Sequence, residues 1–329
     1  MQKLNLISVV LLLTLAIPAG LAEGDPVSEQ RLKSASDLLA IRSEGSKPFW
    51  LDADFTAQIN VPQNGHLTWK WADKNLWSQE ITLGDFRQLN IRKEDTLYIS
   101  RNLPFTPMKI SELQDLIKVF SFDPDEEHAK GMKRESVNGV QEECSEIHYK
   151  KDHGNPKTTV CISPDANEVL SIETKDDTDL SRKEFSGYEP FREHRYPREL
   201  RLYTNGSLAL KVTIRSLRDG ARNDADFTPP PGASARRQCE HMTPPHALKT
   251  PDPAYPRSAS QNRIGGTVTV SLTVLPDGSV ENVQLLGSAG REMDQVTEEI
   301  VKTWKFKPAM CGDEPVTADI RVNMNFRMR

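Results

Sequence analysis

Between Phe49 and Val61 an apolar side chain falls on every second position: Phe49, Leu51, Ala53, Phe55, Ala57, Ile59 and Val61, with mostly polar residues between them. A period of two sends alternate side chains to opposite faces of an extended chain. The run therefore predicts a long half-buried β-strand and excludes an amphipathic helix. Pro62-Gln63-Asn64-Gly65 is turn chemistry, and Leu67, Trp69 and Trp71 resume the alternation, which predicts a hairpin. Further β-like runs lie at 81–83, 97–99, 168–174, 198–203 and 208–214. A short helix is expected over Ser28–Ile41. A second one carries Leu113, Leu116, Ile117 and Phe120 at helical spacing, with Ser111 and Gln114 read as its capping box. Residues 49–228 thus predict a mainly antiparallel sheet with a helix laid against it.

A chain of 329 residues predicts about two folded units at ~150 residues each. The first 22 residues read as a secretory signal. Lys3 supplies the positive charge, Leu4–Ile17 an apolar run, and Gly20-Leu21-Ala22 a cleavage pattern. That run is shorter than the ~20 apolar residues a membrane span needs, so the mature chain is expected in the periplasm. The alternative is an inner-membrane anchor formed by an uncleaved signal. In an oxidising compartment the four cysteines are read as disulfides by default. Cys144 and Cys161 flank Glu146–Tyr149 and Thr158–Ile162, joined through the turn Asp152-His153-Gly154-Asn155-Pro156. A hairpin about that turn sets the two cysteines opposite each other, and Cys239 and Cys311 remain as a second pair. Free buried thiols and a metal site are the alternatives, but no Cys-x-x-Cys spacing supports zinc.

The net charge of −5, from 42 Lys and Arg against 47 Asp and Glu, argues against a general nucleic-acid or anionic-lipid binder. No Gly-x-Ser-x-Gly elbow, P-loop, dinucleotide fingerprint or His-Glu-x-x-His helix occurs. No catalytic residue, cofactor or enzymatic activity is therefore expected. The groups His148/His153 and Cys239/His241/His246 have irregular spacing for a metal. Glu142-Glu143 and Asp123–Glu127 read as solvated acidic faces.

Prolines concentrate after Thr228, which predicts a linker over 229–250. Beyond it, Val268, Val270, Leu272 and Val274 alternate, Pro276-Asp277-Gly278 turns, and Val280–Leu286 gives a second strand. A helix over Glu292–Trp304 carries Met293, Val296, Ile300 and Trp304 on one stripe, and Lys307-Pro308 stops it. The closing strand alternates through Ala318, Ile320, Val322, Met324, Phe326 and Met328. The fold class is α+β: a β-rich unit over 25–228 and a ββαβ unit over 251–329.

Pro253-Ala254-Tyr255-Pro256, Gly265-Gly266-Thr267-Val268, Asp277-Gly278-Ser279-Val280, Gly287-Ser288-Ala289-Gly290 and Trp304-Lys305-Phe306-Lys307-Pro308-Ala309 occur in this order. The ordered set resembles the C-terminal domain of the TonB family of periplasmic energy transducers. Each motif also has a local reason. Gly265-Gly266 permits a positive φ or a close backbone approach, Asp277-Gly278 suits a tight turn, and Trp304 and Phe306 fill the core. The resemblance implies energy-dependent transmembrane transport, in which an outer-membrane transporter peptide or another envelope protein adds as a strand beside the last strand. Here that edge is Ala318, Asp319, Ile320, Arg321, Val322, Asn323, Met324, Asn325 and Phe326. Unlike the family's membrane anchors, the apolar N-terminal run holds no histidine and ends in a cleavage pattern.

The Trp-rich opening hairpin, the helix after it, the central hairpin and the ending Phe227-Thr228-Pro229-Pro230-Pro231-Gly232-Ala233 are similar to the lipoprotein-carrier (LolA-like) half-barrel fold. That resemblance implies a lipid or other hydrophobic ligand in the N-terminal unit. It also gives an alternative function, a periplasmic carrier whose C-terminal unit is a docking module.

Overall fold

The computed structural model describes residues 24–59, 61–137, 139–150, 156–175, 180–239 and 242–327. The expected signal, the turn residues 152–155, His241 and Met328 lie outside the described residues.

The period-two run is shorter than expected: Ile59 and Val61 are exposed, and Gln63, Asn64 and Gly65 pair with Ala57, Thr56 and Phe55 instead of turning. What remains is β1 (Phe49–Ala57), whose residues alternate between buried and half-buried along its whole length. It opens a meander through β2 (Gln63–Asp73), β3 (Leu76–Leu83), β4 (Phe86–Lys93) and β5 (Thr96–Arg101). After a helix come β6 (Glu127–Ala129), β7 (Lys133–Val137), β8 (Val140–Tyr149) and β9 (Lys157–Ile162). β10 (Val169–Lys175), β11 (Leu180–Phe191), β12 (His194–Thr204) and β13 (Ser207–Asp219) follow. With β14 (Ser234–Arg237), they form a fourteen-stranded sheet among the described residues. Its order is β14-β5-β4-β3-β2-β1-β13-β12-β11-β10-β9-β8-β6, with β7 on β8. Because β1 pairs with both β2 and β13, the first and last strands of the run meet at mid-sheet.

Two helices cover one face. In α1 (Pro26–Leu38), Pro26 occupies the first turn and the Asp25 carboxylate accepts from Ser28 N at 2.9 Å. Helix α2 (Met108–Leu116) begins after Pro107, so Ser111 lies inside it and makes no capping box. Pro107 is extended and carries no N–H, so it stands at the helix boundary, one turn earlier than the sequence reading. Ile110, Leu113 and Leu116 are buried against the sheet, and the Tyr196 hydroxyl donates to the carbonyl of Ile117, the residue that caps α2.

Both expected cysteine pairs are joined. Cys144 on β8 faces Cys161 on β9 across the ladder, with Cα atoms 4.0 Å apart, and Cys239 bridges to Cys311 at 5.7 Å. The acidic pair beside Cys144 corrects the sequence reading: Glu142 is 6% and Glu143 7% exposed, not solvated. Glu143 sits between Arg31 and Arg134, the latter at 2.8 Å. Glu142 has no such partner among the described residues, and burial pushes its carboxyl above the usual range, with Arg182 opposing. A raised folded pKa leaves the protein unpenalised below the unfolded pKa and destabilised as pH climbs through the folded one. Glu142→Gln is therefore expected to raise the melting temperature at pH 7 by about 2–4 °C, the shift ~1 kcal/mol produces in a protein of this size. Calorimetry should show the gain shrinking as pH falls below about 4.3, the unfolded carboxyl's own range, where the wild-type carboxyl becomes protonated in both states.

The Pro-rich segment is stitched to the large sheet and, through two further small sheets, to short strands of the C-terminal part rather than running free. β14 pairs with β5, and β15 (Met242–Thr243) and β16 (His246–Lys249) pair with short strands further on. Arg92 donates to the Gln238 carbonyl at 2.8 Å, and Arg237 pairs with Asp95 at 3.2 Å and with Glu314.

The C-terminal part starts with α3 (Arg257–Gln261), β17 (Gly266–Val274), β18 (Val280–Gly287) and α4 (Arg291–Val301). The expected ββαβ order is expanded by β19 (Lys305–Lys307), β20 (Ala309–Cys311) and β21 (Glu314–Val316) before β22 (Ala318–Phe326). A three-stranded sheet ordered β18-β17-β22 carries α4 on one face. Val268, Val270, Leu272 and Val274 meet Met293, Val301, Trp304, Phe306 and Phe326 in its core. The predicted stripe is rotated slightly: Met293, Thr297 and Val301 are buried, while Val296 and Ile300 flank them. The helix also ends at Val301, short of Trp304, and Lys307 lies on β19, so Lys307-Pro308 is not its stop. Gly278 needs its glycine, since φ is +78° and an added Cβ would stand 2.0 Å from the Phe306 carbonyl oxygen. Gly265 fulfils the close-approach expectation, with a Cβ there falling 2.7 Å from the Phe326 oxygen.

Candidate functional site

The nine residues Ala318–Phe326 form β22, which pairs with β17 on one side and ends the sheet on the other. Alternation divides them. Ile320, Val322, Met324 and Phe326 pack on the α4 side, while Asp319, Arg321, Asn323 and Asn325 face away. The outward side chains form a ladder with β17. Thr267 donates to Asn325 at 2.7 Å, Thr269 to Asn323 at 2.9 Å and Thr273 to Asp319 at 2.6 Å. Each pair is directly opposite in a register that runs from Gly266↔Phe326 to Val274↔Ala318 without a shift. Cross-strand polar pairs of this kind fix register, so β22 is held straight against its neighbour.

The two halves of β22 have different surroundings. At its start, Asp319 lies 3.9 Å from Arg236 of β14, and Asp319, Ile320 and Arg321 line a cavity of about 760 Å³ that the large sheet also borders. At its end, Asn323, Met324, Asn325, Phe326 and Arg327 line a cleft of about 620 Å³ with Thr250, Asp252, Pro253, Tyr255 and Trp304. That second cleft is built by the motif residues. Tyr255 packs edge-on against Phe326 with ring centres 5.6 Å apart, and its hydroxyl donates to Ile264 O at 2.7 Å. Trp304 Nε1 donates to Pro251 O at 3.1 Å. The turn that precedes β18 is fixed in the same way: the Ser279 hydroxyl and N–H both donate to Asp277, which holds that carboxyl below its usual range.

Among the described residues, which leave out His153 and His241, the metal candidates do not assemble. Cys239 is in a disulfide, His246 lies on β16, and His148 stacks on His128 at 5.4 Å. Glu142, Cys144 and Cys161 are close enough to share an ion, but the two sulfurs are bonded to each other. No helix among the described residues is long and apolar enough to cross a membrane. The polar ladder was missed in the sequence, although Thr267, Thr269 and Thr273 already alternate there against Asp319, Asn323 and Asn325.

Residues 251–328 match the family described as Gram-negative bacterial TonB protein C-terminal. The chain is similar to Protein tonB2 of Pseudomonas aeruginosa, 37% identical over 82 residues, which are 25% of this chain and 30% of that protein. It is 34% identical over 85 residues to Protein TonB of Escherichia coli (strain K12), covering 26% of this chain and 34% of that one. The chain thus spans about a third of the length of the curated relatives it matches. Among solved structures it is similar to a LolA superfamily protein from Nitrosomonas europaea. That likeness has 9% identity and a TM-score of 0.41, over 60% of this chain and 97% of the other.

Proposed function

We propose that this chain works in the Gram-negative envelope by capturing an extended segment of an outer-membrane transporter, or of another envelope protein, as a fourth strand beside β22. The carrying observation is an edge strand held in fixed register whose last residues border an open cleft. An edge presents unpaired N–H and C=O groups, and a peptide strand can satisfy them with little demand on its own side chains. Asn323–Arg327 would take about five peptide residues, or ~17 Å of extended chain. The uncharged Asn323 and Asn325 suit a partner recognised by backbone. Residues 251–329 form the capturing unit, residues 25–228 a β-rich body, and 229–250 the strap between them. The TonB relatives support the transport reading.

A proline scan along Asn323, Met324 and Asn325 tests it with calorimetry on the full chain. Successive residues of a strand point their N–H groups to opposite sides. Proline at a position donating to β17 is expected to disrupt the sheet. Proline at the alternate position is expected to leave the fold intact and weaken a transporter N-terminal peptide by roughly tenfold. No peptide binding to the wild-type chain at millimolar concentration, or an intact fold with unchanged binding at every scanned position, would sink the proposal.

A further inference from the structure

The larger cavity lies between the two sheets, and its about 760 Å³ falls within the range of small-molecule sites, ~300–1,000 Å³. Its floor is the helix-covered face of β2–β5, where cross-strand registers align side chains in rows. One row runs Trp69, Gln79, Asn90, Ile99, and the next Leu67, Ile81, Gln88, Arg101. Its opposite wall includes Ser271, Thr273 and Arg321 from the C-terminal sheet.

This floor is buried yet polar. Gln79 is 7%, Gln88 3% and Asn90 5% exposed. Their side chains are only partly engaged: Gln79 accepts from Gln114 at 3.1 Å, Gln88 donates to Asn90 at 3.1 Å and accepts from Thr106 at 2.7 Å. Trp69, 4% exposed and lining the same cavity, has an indole N–H with no acceptor among the described residues. An acyl chain in this space would leave those groups desolvated and unbonded, which is unfavourable. A ligand rich in hydroxyl and carboxylate oxygens would complete them.

Charge narrows the class. Arg42, Lys118 and Arg321 line the cavity without a carboxylate partner among the described residues. The one acidic lining residue, Asp319, already faces Arg236. A peptide is a poor fit, because β3 and β4 are central strands whose backbones are paired on both sides. The geometry points to a binding site for an acidic saccharide, with Trp69 and the Gln79/Gln88/Asn90 amides holding its oxygens and Arg321 its negative charge.

Calorimetry and tryptophan fluorescence of the full chain with tri-galacturonic acid, maltotriose and lauric acid test this. The acidic trisaccharide is expected to bind saturably and roughly tenfold more tightly than its neutral counterpart, because charge-assisted hydrogen bonds are the stronger kind. Arg321→Ala, at an exposed position, is expected to remove most of that preference while leaving the fold unchanged. Trp69→Phe keeps an aromatic side chain but loses the indole N–H, and is expected to weaken both sugars equally. Equal affinity for the two sugars, tighter binding of laurate, or no saturable binding of tri-galacturonate at millimolar concentration would each overturn the assignment.

Discussion

Gly278→Val is expected to unfold the C-terminal sheet while leaving the large one intact. Two penalties combine at this position. A β-branched residue at φ +78° is strained, by roughly 1–2 kcal/mol. The added carbon would also overlap the Phe306 backbone, since even a single Cβ there would lie 2.0 Å from its oxygen. Relieving that overlap breaks the 2.9 Å bond from Phe306 N to Gly278 O and draws Phe306 and Trp304 from the core. Together these amount to about 3–5 kcal/mol, the range of severe single substitutions. Gly232 supplies the control, because its φ is +81° but nothing lies within 4 Å of its Cβ. Gly232→Val should therefore cost only the backbone strain. Near-ultraviolet circular dichroism would read the loss of Trp304 packing, and equal effects at the two glycines would refute the steric argument.

Removing the Cys239–Cys311 bridge by the double substitution to serine should be the other large effect. The bond closes a loop of 72 residues, worth ~4 kcal/mol in the chain-entropy description, against ~3 for the 17-residue loop of Cys144–Cys161. The strap strands β15 and β16 are only two and four residues long and hold few hydrogen bonds of their own. Without the bridge they should separate from β20 and β19 early. Calorimetry is expected to show the C-terminal transition moving to lower temperature, apart from an unmoved transition of the large sheet. A single transition at the wild-type temperature would show that the bridge adds nothing to stability.

The elements legible in the sequence were those with one face in a core and the other in water. β1, β17, β22 and α4 have that character; the strand alternation reappears in the structure, though β1 stops before Ile59 and Val61, and the buried stripe of α4 is rotated to Met293, Thr297 and Val301. β4 escaped notice because two of its inward positions are Gln88 and Asn90, buried amides that interrupt an apolar alternation. β11 escaped because nearly all its residues are half-buried or exposed, leaving no contrast to read. Glu142 and Glu143 were misread since their burial depends on being flanked by β7 and β9 and, for Glu143, on Arg31, which is distant in sequence. The edge position of β22 came from family resemblance, as alternation along a strand says nothing about what lies beside it. The short strap strands depend on partners about sixty residues away and have no local signature.

The bridge from the strap to β20 also decides how tension travels. A tug on β22 runs back along the chain through β21 to Cys311, and there the covalent link passes it directly to Cys239 and the large sheet. Everything folded between those cysteines, including β17, β18 and α4, is bypassed by this shortcut. Stretching the molecule from that end would therefore load β22, β21 and the disulfide in series, and the nine-pair ladder between β22 and β17 would stay outside the load path.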